Sequence, residues 1–247
     1  NLIARSKAAT IEDRIVEAVN KIEGAYSIVI NTTNALIGIR DPHGYRPLCL
    51  GKTEHGYVLA SETCALDVIK AEFIRHIEPG EMVIINDEGV RSRIYAPVEK
   101  IEKKLCVFEY IYFARSDSNI DGQSVYETRL NMGRELARET KYDADIVMSI
   151  PDSGTTAALG YARESGIPFA EGLIKNRYSG RTFIKPNQEE RELAVRMKLN
   201  AVPEVVAGKR IVLIDDSIVR GTTSGLIVKM LKEADLTFIE TVLTFWD

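Results

Sequence analysis

Cysteine is scarce: the 247 residues hold three, Cys49, Cys64 and Cys106, far apart and with no CxxC pair. That excludes a disulfide framework and a self-contained zinc site, and it fits the reducing cytoplasm. No apolar run approaches the length of a membrane span, and the opening NLIARSKAAT has no apolar signal core, so no membrane partner is expected. A surplus of positive charge is also missing. With 32 Lys and Arg against 36 Asp and Glu, the net charge of -4 gives no broad cationic field for a nucleic-acid backbone. The three histidines, His43, His55 and His76, share no motif and read as surface or core residues, and the lone Trp246 carries no functional reading. Neither GxxxxGK[ST] nor GxGxxG occurs, which removes the P-loop and dinucleotide fingerprints. An initiator Met is absent and the first residues look like the end of a helix, so a fragment is expected.

What is present is enough apolar residue, 45%, to fill the core of one large domain or two ordinary ones. From Gly24 to Pro97, short apolar runs alternate with Asn, Asp, Gly and Pro clusters, the rhythm of antiparallel strands and hairpins, with one short helix around TCALDVIKA. Further on the pattern changes. SVYETRLNMGRELARET reads as a capped helix, ADIVMSI as a buried strand, TTAALGYARESG as a helix ended by Gly, IPFAEGLI and RIVLI as strands, and TTSGLIVKMLKEA as a helix. Strands alternating with helices imply a parallel sheet, so the fold class is α/β: a β-rich module followed by a parallel sheet with flanking helices. The boundary falls within VEKIEKK, giving residues 1–103 and 104–247.

Two loops follow predicted parallel strands. PDSGTTAA covers residues 151–158, and VLIDDSIVRGTTSG covers 212–225. In each, small and hydroxyl residues precede a helix whose first N–H groups can hold phosphate oxygens, and Gly154 and Gly221 permit close backbone approach. A single loop of this kind reads rather as an ordinary turn and cap. Two loops with an acidic pair, Asp215 and Asp216, read as a site: one carboxylate can reach a ribose hydroxyl or a hydrated cation while the other supports it, and magnesium (Mg²⁺) held jointly with substrate phosphates suits so few carboxylates.

VLIDDSIVRGTTS resembles the phosphoribosyltransferase signature for the ribose and 5-phosphate of phosphoribosyl pyrophosphate. FEYIYFARSDSNIDG, GLIKNRYSGRTFI and VRMKLNAV resemble the glutamine phosphoribosylpyrophosphate amidotransferases of purine synthesis. GIRDPHGYRPLCLG and LASETCALD look like the later part of that family's N-terminal-nucleophile (Ntn) glutaminase domain. The resemblance implies a partial glutaminase module followed by a truncated type I phosphoribosyltransferase domain. It implies that Asp215 and Asp216 contact ribose hydroxyls and Mg²⁺, with Ser153 also at the metal. Ser217, Arg220, Gly221, Thr222, Thr223 and Ser224 would cradle the 5-phosphate, and Ser153 with Gly154 would lie by the pyrophosphate. NRYSGRTFIKPNQEERELAVRMKLN resembles a loop that closes over the substrate, with Arg181 and Lys198 neutralising the leaving pyrophosphate as catalytic groups. The implied partners are phosphoribosyl pyrophosphate, glutamine or ammonia, and further copies of the chain in a dimer or tetramer.

The chain departs from the family at several points. Asn1 is no nucleophile, so glutaminase activity by the family route is not expected. Cys106 stands where some members place one ligand of a four-iron cluster (4Fe-4S), which this chain cannot complete because it needs four thiolates. A buried free thiol is the alternative. After DLTFIETVLTFWD the family's continuation is missing. A second function remains open, a regulatory protein that binds phosphoribosyl pyrophosphate without catalysis.

Overall fold

The structure, a computed structural model, describes residues 1–176, 197–217 and 222–243. The chain forms two compact units, Asn1–Glu109 with Asp117–Ser124, and Tyr110–Ser116 with Val125–Asp247.

In the first unit, α1 (Leu2–Arg5) and α2 (Ile11–Val19) precede the strands β1 (Ser27–Asn31), β2 (Leu36–Arg40), β3 (Cys49–Thr53) and β4 (Gly56–Ala60). Helix α3 (Thr63–Val68) leads into β5 (Glu72–His76), β6 (Glu81–Asn86) and β7 (Gly89–Ile94), and the hairpin β8–β9 (Asn119–Ile120, Gln123–Ser124) closes the unit. Thr10 starts α2 by accepting the Asp13 N–H at 3.1 Å. The antiparallel sheets β1-β2-β6-β7 and β4-β3-β5 stack face to face. Strand alternation decides what each face buries. Ile37, Ile39, Met82 and Ile84 meet Ile15 and Val19 of α2, whereas Val83 joins Leu48, Leu50 and Ile77 between the sheets. Gly38 leaves room there for Leu59, whose Cδ1 would lie 2.7 Å from an added Cβ. On the outer face of the second sheet, Leu66 of α3 packs with Cys49 and Ala71.

The first unit also buries charge. Arg40, fully buried, donates to the carbonyls of Gly44, Arg46 and Ile77 at 2.7–2.9 Å and to both carboxylate oxygens of Asp121 at 2.9 and 3.0 Å. Every donor of the guanidinium fork is thus used, which is what makes its burial tolerable. This pairing fastens the β8–β9 hairpin.

In the second unit, α4 (Val125–Glu139), β10 (Ile146–Ser149), α5 (Thr155–Ser165), the short hairpin strands β11 (Leu173–Lys175) and β12 (Leu199–Ala201), α6 (Pro203–Val206), β13 (Arg210–Asp215), α7 (Thr222–Glu233) and β14 (Phe238–Leu243) follow in order. Strands β10, β13 and β14 pair in parallel, and Phe169 bridges to Val147 on the far side of β10. Val147, Val212 and Ile214 face α4 and α5, while Met148, Ile211 and Leu213 face α7. Helices α4 and α5 touch backbone to backbone: a Cβ on Gly133 would stand 1.9 Å from the Ala157 carbonyl oxygen, and one on Gly160 would stand 2.1 Å from that of Leu130. Gly166, at φ +75°, ends α5 in the left-handed conformation expected of its sequence.

One expected strand divides. IPFAEGLI contributes only the Phe169 bridge to the parallel sheet; the chain then turns, and Leu173–Lys175 pairs antiparallel with Leu199–Ala201. At the turn the Gly172 N–H donates to the Ala170 carbonyl at 3.2 Å, and Gly172 packs closely on Met148, whose sulfur would lie 2.5 Å from an added Cβ. IPFAEGLI is a short apolar run interrupted only by Glu171 and Gly172, so periodicity could not separate the two pieces.

Candidate functional site: the carboxyl ends of two parallel strands

Strands β10 and β13 are neighbours in parallel register, so the loops that leave their carboxyl ends emerge side by side, where open α/β sheets bind ligands. The Ile150 N–H donates to the Ile214 carbonyl at 2.9 Å. Gly154, the residue before α5, is pressed against the second loop: an added Cβ would stand 2.7 Å from the Ile214 carbonyl oxygen and 3.3 Å from the Asp215 Cα. Its missing side chain thus serves contact between the two loops, a use the sequence did not reveal. The Pro151–Asp152 peptide is cis. Ser153 is half-buried, and the Ser149 and Thr155 hydroxyls lie 3.1 Å apart.

Asp215 is the last residue of β13, and Asp216 follows with only 7% of its surface exposed. Burial, and then the neighbouring Asp216 charge, push the Asp215 carboxyl up to about 6, against the opposing pull of the Asp216 N–H, which donates to Asp215 Oδ1 at 2.9 Å. Two carboxylates held this close to one another are costly to ionise together, and a dication or a pair of hydroxyl donors relieves that cost. The Ser217 hydroxyl donates to Asp216 Oδ1 at 2.7 Å. Thr222 opens α7 and Ser224 sits half-buried in its first turn. Arg220 and Gly221 lie outside the described residues, as do the side chains of Thr222 and Thr223.

Of the expected pyrophosphate groups, Arg181 lies outside the described residues. Lys198 is half-buried just before β12, and its carbonyl accepts the Asn176 N–H at 2.7 Å. Sequence reasoning missed a further feature. Lys175 at the end of β11 makes an ion pair with Asp152, and both line a cavity of about 560 Å³ with Pro151, Glu171, Leu173 and Asn176. The two charges are far apart in the chain and share no motif, so only the fold joins them.

Among the described residues no group of three or more His, Cys, Asp or Glu is arranged to hold a metal. A cation at the Asp215–Asp216 pair therefore needs oxygens from a bound phosphate, which suits magnesium, an ion that takes one or two carboxylates and keeps several waters. Cys106 is a half-buried free thiol, and Cys49 and Cys64 are buried. Burial pushes Cys49 up to about 11. Three cysteines in all cannot make a four-thiolate cluster site, so the donor set does not fit a 4Fe-4S cluster in this chain alone. No described helix is long and apolar enough to cross a membrane.

The stacked antiparallel sheets and the parallel sheet with flanking helices define a glutaminase-type module joined to a phosphoribosyltransferase-like sheet. Comparison with known proteins carries this further. Residues 5–68 match the glutamine amidotransferase domain. The chain is 53% identical over 237 residues to amidophosphoribosyltransferase of Bacillus subtilis, covering 96% of this chain and 49% of that protein. The Archaeoglobus fulgidus amidophosphoribosyltransferase is 52% identical over 234 residues, 93% of this chain and 50% of the relative. The solved structure of B. subtilis glutamine phosphoribosylpyrophosphate amidotransferase, complexed with ADP and GMP, superposes with a TM-score of 0.91 at 51% identity, over 98% of this chain and 53% of that one. The chain is thus related to the amidophosphoribosyltransferases along nearly its whole length, and it spans about half the length of the relatives it matches.

Proposed function

We propose that this chain carries the phosphoribosyl pyrophosphate site of an amidophosphoribosyltransferase, which transfers ammonia, derived from glutamine in the whole enzyme, to C1 of the sugar to give 5-phosphoribosylamine and pyrophosphate in purine biosynthesis. One observation carries the reading above the others: Gly154 lies against the backbone of Asp215, so a loop suited to a diphosphate and a loop suited to a ribose 5-phosphate share one edge of the sheet.

Each residue then has a role. The N–H groups at the start of α5, with Ser153 and Gly154, receive the pyrophosphate oxygens. Asp215 and Asp216 accept the ribose hydroxyls, and the loop from Ser217 into Ser224 holds the 5-phosphate. Asp215, Asp216 and Ser153 would hold magnesium together with the substrate, and the ion would supply charge neutralisation of the diphosphate. Breaking the C1–O bond builds positive charge on the ribose and leaves a polyanion, so the protein acts by positioning donors and cations around the leaving group, with Arg181 and Lys198 assigned to it. No covalent nucleophile is required. A cytoplasmic homo-oligomer is part of the same reading.

Calorimetry with magnesium and phosphoribosyl pyrophosphate tests the assignment. We expect a binding heat that the Asp215→Ala, Asp216→Ala double variant lacks; equal heats from the two proteins would refute it.

A further inference from the structure

The Asp152–Lys175 pair sits where a charge pair is hard to justify by stability. Half of the Lys175 side chain and three-quarters of the Asp152 side chain are exposed, 51% and 75%, so solvent screens most of their attraction. Its position is more telling than its strength. Asp152 immediately precedes Ser153 and Gly154 in the loop against β13, and its carbonyl accepts the Thr155 N–H at 3.3 Å, at the first turn of α5. Lys175 is the last residue of β11, and the next N–H, of Asn176, closes the base of the β11–β12 hairpin on the Lys198 carbonyl. The pair therefore adds a polar link at the rim between the loop assigned to the diphosphate and a hairpin whose Leu173 and Leu199 already pack in the core with Ile150. Glu171 lines the same cavity, so two acids and one lysine face the space beside that loop. An approaching diphosphate meets negative charge there unless Lys175 turns toward it.

We propose that Asp152 and Lys175 form an exchangeable latch: Asp152 holds Lys175 across the cavity in the ligand-free protein, and the diphosphate of the substrate displaces Asp152 as the partner of the lysine. This rests on the proposed function of the neighbouring loop. Lys175 is then a binding residue for the leaving group, and Asp152 is a positioning residue that opposes binding by competing for the lysine. In a latch the effect of Asp152 on affinity depends on Lys175 being present, which neither a purely structural pair nor two independent charges would show.

Binding of phosphoribosyl pyrophosphate with magnesium, and of pyrophosphate with magnesium, measured by calorimetry on four proteins, separates these cases. Asp152→Asn frees the lysine and should bind about threefold more tightly, the scale of an exposed ion pair. Lys175→Gln loses the charge-assisted contact and leaves Asp152 facing the ligand, so it should bind about tenfold more weakly. The Asp152→Asn gain should shrink or vanish in the Lys175→Gln background, because there is no lysine left to compete for; an equal gain in both backgrounds means two independent charges and overturns the latch. Circular dichroism melts check that all four proteins are folded. If both single variants weaken binding, and the double variant is no worse than either, the pair only shapes the loop and the latch is wrong. If the parent chain binds neither ligand, the assignment of the loop fails and takes the latch with it; if the parent binds and the signs agree, the latch alone is overturned.

Discussion

The two units bury charge in opposite ways. In the first, Arg40 and Asp121 lie 1% and 6% exposed in their side chains and answer each other with paired hydrogen bonds. In the second, Asp215 and Asp216 put two like charges next to one another at a strand end. Burial pushes Asp121 up, but the Arg40 hydrogen bonds and charge, helped by Lys103 and His76, outweigh it and hold the carboxyl below its usual value. At Asp215 burial and the neighbouring charge act together, and the carboxyl rises. A buried charge with its complement beside it lowers its own cost, whereas two neighbouring carboxylates at a strand end raise each other's, and groups perturbed in that way cluster at functional sites.

The comparison can be broken at several points. Arg40→Met takes both guanidinium hydrogen bonds from the buried Asp121 and leaves it the longer Lys103 pair at 3.5 Å, and we expect the first unit to lose about 3 kcal/mol, read as lost amide-exchange protection in β2 and β6. Protection unchanged there would mean that the pair is dispensable. In the second unit the largest effect should come from packing: Gly160→Ala drives a Cβ into the Leu130 carbonyl and should cost about 3 kcal/mol in urea unfolding.

Acid should separate the units by sign. Asp215 has a folded value raised to about 6, so its folded form binds protons in a range where the unfolded form does not. Stability of the second unit should rise, on the order of 2 kcal/mol, as pH falls from 7 to about 4 without ligand. Asp121 has a depressed folded value, so its contribution to the first unit is present above the ordinary carboxylate range and is lost as pH falls below about 4. Exchange measured unit by unit across this range checks both signs; parallel curves would defeat the contrast. The smallest effect sharpens it: Asp215→Asn should stabilise the ligand-free second unit at pH 7 by about 1 kcal/mol and flatten its acid response, since it removes the repulsion without opening a cavity. A destabilised variant would show that the carboxylate is already balanced by the fold.

Much of this was legible in the residues. Helix α5, ended by Gly166, and the carboxylates after Ile211–Ile214 follow from apolar period, turn chemistry and the rule that parallel sheets present their loops at carboxyl ends. Other features were not. Helix α2 is not among the elements expected from the sequence, although Thr10 and the acids Glu12 and Asp13 mark its start, and IPFAEGLI reads as one strand because the close packing of its Gly172 on Met148 is a contact between distant segments.

Local order depends on residues a few positions apart, so the sequence by itself determined where most helices and strands form, which of their faces are apolar, and that Asp215 and Asp216 stand at a strand end. Partners that are distant along the chain depend on register and on which strands become neighbours. Only the tertiary structure therefore decided that Gly154 would rest on Asp215, that Asp121 would answer Arg40, and that Lys175 would reach Asp152. Each of those contacts is short-ranged, and no pattern in one segment carries the position of another.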